Sequence, residues 1–201
     1  MDKKNIEVEL RSEIKKEEFS NLIKILKNNR QSRFLLSDRR ISLLFIKENK
    51  KHTYDIRLRT TKNKTELAIK LGHLHSHNRK EIIIPILKKS FIDYVQLLHL
   101  LEKNSKVIER EYHVFKLKNI ILTIVNANPI YYVEGEIMSE KSEINKNKIL
   151  IENLFKTLKI TPIKNNKYFK DLCDRLSKET DWKFNGTEKD YNRLEKLIKK
   201  Y

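Results

Sequence analysis

The stretch from Asp55 to Gly72 reads DIRLRTTKNKTELAIKLG. Its apolar residues alternate with Arg57, Arg59, Glu66 and Lys70, the pattern of two strands joined by a polar turn at KNK. Residues two apart on a strand share a face. Arg57 and Arg59 therefore fall on one face of the first strand, and Glu66 and Lys70 on one face of the second. The same parity recurs towards both ends of the chain. IEVELRS sets Glu7, Glu9 and Arg11 on one strand face, and YYVEGEIM does so for Glu134 and Glu136. Paired carboxylates on a shared face suit a divalent metal, and bases spread over several strands suit a polyphosphate.

Composition bounds the remaining choices. At 201 residues the chain fits a single domain of ordinary size, with room for a helical appendage. Apolar residues make up 39% and charged residues 35%, while Gly and Pro number three each, which favours regular elements over disorder. The net charge of +17 attracts anions, whether nucleic acid, anionic lipid or small polyphosphates, and does not choose among them. A single cysteine, Cys173, excludes an intrachain disulfide. No apolar run has the length of a membrane span and MDKKNIEVEL has no signal-peptide core, so the expectation is a cytoplasmic protein without a membrane partner.

Periodicity predicts a strand over 6–14 and a helix over 16–29, in which Phe19, Leu22, Ile23 and Leu26 have helical spacing. Residues 32–46 read as one bent strand or as two. Strands follow at 53–60 and 65–71, a loop at 73–78, a strand at 80–86 stopped by Pro85, and a helix at 90–102. Further strands are predicted over 106–116, 119–126 and 130–138. Helices are predicted over 149–160, 168–178 and 188–201, the last with Thr187 and Asp190 in capping-box spacing. About eight strands with few turn glycines give an α+β class, with a curved antiparallel sheet or closed barrel. Residues 140–201 read as a helical extension packed on it within one domain, with Trp182 and Phe184 as packing anchors.

Several groups are read as structural. His73, His75 and His77 form an H-x-H-x-H stretch in a polar loop, and Cys173 reads as a small residue on an apolar helix face. Lys196, Lys199 and Lys200 read as a solvated helix face. There is no Gly-rich phosphate loop and no Ser-His-Asp or Cys-His signature. Any one strand alternating apolar and charged residues normally turns its charges to water. The order of the charged motifs is what argues otherwise.

Taken in sequence, these motifs are E-x-E-x-R at Glu7, Glu9 and Arg11, R-x-R at Arg57 and Arg59, and the strand ending in Lys70. R-x-E at Arg79 and Glu81, Arg110 in VIEREYHVF, and E-x-E at Glu134 and Glu136 complete the set. Over about residues 5–175 the series resembles the CYTH family, also called triphosphate tunnel metalloenzymes. The resemblance implies an eight-stranded antiparallel barrel with a charged interior that binds triphosphates and hydrolyses them with magnesium or manganese. It implies Glu7, Glu9, Glu81, Glu134 and Glu136 as metal ligands, with Glu7 and Glu9 as the catalytic pair orienting or deprotonating water. Arg11, Arg57, Arg59, Lys70, Arg79 and Arg110 would grip the phosphates. The expected substrate is inorganic tripolyphosphate or an organic triphosphate, an RNA 5′-triphosphate included. A non-catalytic polyphosphate, nucleotide or RNA binding module is the alternative, and an adenylyl cyclase of class IV type the third. Three departures stand out: Arg11 where the family motif usually has Lys, Ile108 where many relatives have a base, and Thr123, Asn126 and Asn128 on a strand that often carries an acid.

Overall fold

The computed structural model describes residues 6–48, 53–72 and 78–200. His52, His73, His75 and His77 lie outside the described residues. In chain order the elements are β1 (Ile6–Ile14), α1 (Lys16–Asn28), β2 (Ser32–Glu48), β3 (Thr53–Thr60), β4 (Thr65–Gly72) and β5 (Asn78–Pro85). Then come α2 (Phe91–Leu101), β6 (Ser105–Leu117), β7 (Ile120–Asn126), β8 (Tyr131–Ser139), α3 (Ile144–Thr157), α4 (Asn166–Glu179), β9 (Trp182–Phe184) and α5 (Glu188–Lys199).

Residues 32–48 form one 17-residue strand, which settles the choice between one strand and two. The stretch contains neither Gly nor Pro, so nothing in it interrupts an extended backbone. The Thr187 hydroxyl accepts from the Asp190 N–H, and the Asp190 carboxylate accepts from the Thr187 N–H, the expected capping box. Strand order is β2-β3-β4-β5-β1-β8-β7-β6-β9, and β2 also pairs with β6, so eight antiparallel strands form a ring of hydrogen-bonded neighbours. The class is α+β.

The chain divides into two compact units, one of residues 1–37, 75–80 and 111–180, the other of residues 38–74, 81–110 and 181–201. In the first unit, Val8 and Leu10 of β1, Leu122 and Ile124 of β7, and Val133 and Ile137 of β8 pack with Leu22 and Leu26 of α1 and Ile151 and Phe155 of α3. Gly135 lets α3 approach. A Cβ there would lie 2.7 Å from Ile151 Cγ2 and 2.8 Å from Phe155 Cε1. A second cluster joins Tyr112, Val125 and Tyr132 to Leu172 and Leu176 of α4. By strand alternation these three sheet residues lie on the face opposite Leu122 and Val133, so α1 and α3 cover one face while α4 covers part of the other.

In the second unit, Ile41, Leu43 and Phe45 of β2 and Leu58 of β3 pack with Phe91 and Val95 of α2, Val107 of β6, Phe184 of β9 and Leu194 of α5. Phe184 is fully buried, so the expected anchoring role is observed, although the residue sits in a short strand paired with β6. The helices after residue 140 are shared out: α3 and α4 belong to the first unit, and α5 to the second.

Candidate active site

Each unit carries a charged strand face opposite its apolar one. In the first unit β1 and β8 pair so that Glu9 faces Glu136, Arg11 faces Glu134 and Glu7 faces Met138. On its other side β1 pairs with β5, setting Glu7 against Arg79. Two glutamates directly opposite on neighbouring strands repel, so a cation is needed nearby. The chain supplies one. Arg11 Nε lies 2.5 Å from Glu9 Oε1, and Arg11 Nη2 lies 2.6 Å from Glu134 Oε1.

Arg11 is held from several further directions. Its guanidinium carbon lies 5.6 Å from the Tyr132 ring centre and 5.1 Å from that of Phe169 on α4. Nη1 is 3.9 Å from Cys173 Sγ, also on α4. Burial, the largest single influence on this guanidinium, favours its neutral form. Glu134 and Glu9, with smaller help from Cys173 and Tyr132, outweigh it and hold the pKa well above the ordinary arginine value.

Two of the charges on this face are shielded from water. Glu7 is 5% exposed and Glu9 7%. A polar outer face would leave them in water, and burial at this level requires partners or a bound ion. Thr123, on the strand that often carries an acid in CYTH proteins, stands opposite Glu134 and is also buried. Beside Glu136 a cleft of about 430 Å³ is bounded by Lys116, Ile121, Met138, Lys146, Asn147 and Leu150, among others.

In the second unit the β3–β4 register sets Asp55 opposite Lys70, Arg57 opposite Ala68 and Arg59 opposite Glu66. Asp55, only 1% exposed, accepts two hydrogen bonds from Arg57, Nε to Oδ1 and Nη2 to Oδ2, each 2.7 Å. Arg59 Nη1 is 3.5 Å from both Glu66 Oε1 and Glu81 Oε1. Lys70 Nζ is 3.9 Å from the same Glu81 oxygen. Lys64 also pairs with Glu66. Burial, acting alone, would raise the Glu66 pKa; the Lys64 hydrogen bond and the charges of Arg59, Lys64 and Arg40 bring it below the ordinary value.

The expected site residues thus fall into two sets. Glu7, Glu9, Arg11, Arg79, Glu134 and Glu136 belong to the first unit; Arg57, Arg59, Lys70, Glu81 and Arg110 belong to the second. Glu81, expected as a metal ligand, lies among bases. Arg110, 3% exposed, donates to the Glu109 carbonyl and lies 2.5 Å from Asp181 Oδ1. Cys173 touches Arg11 as well as filling space. Among the described residues no group of three or more His, Cys, Asp and Glu side chains is arranged to hold a metal ion. No helix among them is long and apolar enough to cross a membrane.

Sequence reading passed over Asp55 and Asp181. The first stands two residues before Arg57 in DIRLR and obeys the parity that identified the arginines. The second is 71 residues from Arg110, with no local pattern linking them.

Solved structures supply the decisive comparison. The PH1819 protein of Pyrococcus horikoshii OT3 matches with a TM-score of 0.60 at 19% identity, over 84% of this chain and 99% of that one. A candidate adenylate cyclase of Vibrio parahaemolyticus matches with a TM-score of 0.60 at 11% identity, over 83% and 98%. The PH1012 protein of Pyrococcus horikoshii OT3 gives 0.61 at 13% identity, over 77% and 91%. The fold is of the CYTH type. No family model and no curated protein matches the sequence. At these identities the CYTH likeness concerns the fold, and the case for an activity rests on the residues.

Proposed function

We propose that the protein hydrolyses triphosphates with the help of a divalent metal ion, taking inorganic tripolyphosphate or an organic triphosphate as substrate. One observation carries the proposal: β1 and β8 carry their charged side chains on a face of their own, on which Glu7 and Glu9 are buried and Glu9 stands directly opposite Glu136. Such a face is costly to maintain unless it serves a ligand. Arg57 and Arg59 present planar forks suited to phosphate oxygens, and Lys70 adds a point charge. Arg79 and Arg110 are further candidates for the phosphate grip.

The donor set fits magnesium or manganese. These ions are commonly held by one or two carboxylates and completed by water and substrate phosphates, rather than by a cage made wholly of protein. Glu9 and Glu136, with Glu7 and Glu134 on the same face, would supply the carboxylates, and Glu81 is the remaining candidate ligand. When bound, the ion neutralises phosphate charge and polarises phosphorus towards attack. The chain's own part is positioning, which phosphoryl transfer chiefly demands. The bases fix the phosphates, and Glu7 or Glu9 accepts a hydrogen bond from the attacking water and orients it.

A second reading, binding without turnover, is favoured by the net charge of +17 and by Thr123 at a place where many relatives carry an acid. Phosphate release separates the two. Purified protein is offered tripolyphosphate, nucleoside triphosphates, thiamine triphosphate and 5′-triphosphorylated RNA, with magnesium or manganese and then with chelator. Metal-dependent release from any of these is the expected result. Saturable binding with no release across metals and pH would replace hydrolysis with the binding reading.

A further inference from the structure

The helix α2 reads FIDYVQLLHLL, in which Asp93, Gln96 and His99 are the polar residues. A helix apolar on all sides belongs in an interior. Here one side is covered: Phe91, Val95 and His99 are buried, and Ile92, Tyr94 and Leu98 pack against the core of the second unit. The opposite side is bare. Leu97 is 53% exposed, Leu100 74% and Leu101 68%. With Asp93 these residues take the i, i+4, i+7, i+8 spacing of a single stripe. Leucines scattered singly over a surface need no explanation, but three gathered on one helix face mark a contact surface.

The charges at the two ends of the stripe say what covers it. Asp93 stands in the first turn of α2 and Lys103 just past its last residue, and both are exposed. We propose that two copies of the chain pair through this face of α2, antiparallel, as a two-fold dimer. In that arrangement Leu97 of each copy meets the partner's Leu100, and Asp93 of each meets the partner's Lys103, so every contact is made twice. Parallel helices would instead set Asp93 on Asp93 and Lys103 on Lys103. Antiparallel packing also opposes the two helix dipoles. One helix face is small beside a standard interface, and a net charge of +17 repels a second copy, so the expected Kd is on the order of 10 µM. None of the residues proposed for triphosphate chemistry lies on this stripe.

Sedimentation equilibrium of the full chain tests this, at concentrations spanning the expected Kd by about tenfold on either side. Wild type is expected to pass from monomer to dimer over that range. Leu100→Glu puts a carboxylate in the middle of the stripe and is expected to remain a monomer, with the Tm of the dilute protein within about 2 °C of wild type. Asp93→Lys and Lys103→Asp are each expected to weaken the dimer by about tenfold, because each change sets like charges face to face. Combining them exchanges the charges at both ends and is expected to bring the Kd back to within about threefold of wild type. A wild type that stays monomeric, a dimer indifferent to Leu100→Glu, single charge changes without effect, or a double exchange no tighter than the single changes would each overturn the proposal. Vesicles of phosphatidylserine and phosphatidylcholine test the other occupant. If wild type stayed monomeric and bound them while Leu100→Glu did not, the leucines would belong to a lipid surface and the dimer would be ruled out.

Discussion

On the face built from β1 and β8, four glutamates share two arginines, and Arg11 alone serves two of them. On the face built from β3, β4 and β5, Arg57 is held by Asp55, while Arg59 and Lys70 share Glu81 and Arg59 also reaches Glu66. In the second, Arg57, Arg59 and Lys70 each have a carboxylate partner before any ligand arrives. The difference teaches that the basic set is not an open cationic patch. On the proposed function, an incoming phosphate competes with carboxylates for the same forks, and the acidic face is where a cation would bind.

The largest effect should come from the acidic face. Glu9→Gln and Glu136→Gln keep side-chain volume and remove a metal-attracting charge, so each should lower metal-dependent turnover by about 100-fold or more while the protein stays folded. Steady-state rates at limiting and saturating manganese measure this. Normal rates at limiting manganese in both variants would break the contrast, because the acidic face would then have no part in the chemistry.

On the basic face the changes should act on substrate capture. Arg57→Lys and Arg59→Lys keep the charge but lose the planar fork, which should raise the KM for tripolyphosphate by about tenfold with a smaller effect on kcat. Asp55→Asn should act with the opposite sign. It weakens the competitor for Arg57 and should tighten tripolyphosphate binding, while lowering the stability of the ligand-free protein. Tripolyphosphate should raise the Tm by binding the folded protein, and neutralising Lys196, Lys199 and Lys200, all exposed on or just after α5, should leave that rise in place. If that triple change abolished the rise and the arginine changes did not, the anion would belong on α5.

Much of this contrast was legible in the sequence, because strand parity is a local rule. The positions of Glu7, Glu9, Glu134 and Glu136 follow from it, as do those of Arg57, Arg59, Glu66 and Lys70, and the register bears it out. Parity says which residues share a face but not which partner each one finds. The bridge from Arg11 to Glu134 depends on β1 lying beside β8, and the contacts of Arg11 with Phe169 and Cys173 depend on where α4 packs. Gly135 is a similar case. In YYVEGEIM it separates two charged residues, and its reason appears only with Ile151 and Phe155 pressed against it.

Gly135→Ala therefore probes how the acidic face is supported, with an expected effect smaller than those on turnover. The new methyl group meets two side chains in a packed core, which should cost about 1–3 kcal/mol in stability. Denaturant unfolding should show a lower midpoint with an unchanged slope. A neutral result would mean that α3 yields readily and does not fix the directions of Glu134 and Glu136.

The smallest expected effect is a pH dependence that separates the two faces. Glu66 in the fold has a pKa lowered from the ordinary 4.5, so its carboxylate is favoured by folding. A group lowered in this way contributes stability that is fully present above the unfolded value and is lost as pH falls through the folded one. The loss should begin near pH 4.5 and grow below it, and Glu66→Gln should flatten that part of the stability curve relative to wild type. Arg11 behaves differently. Its pKa is held well above the ordinary arginine value, so the guanidinium itself stays charged throughout the acid range and does not titrate there. Denaturant midpoints collected from pH 7 to pH 3 on wild type and Glu66→Gln test the point. If the two curves stayed parallel below pH 4.5, the Lys64 and Arg59 pairing would not be stabilising Glu66 in solution, and the claim that the basic face is neutralised from within would lose one of its three acids.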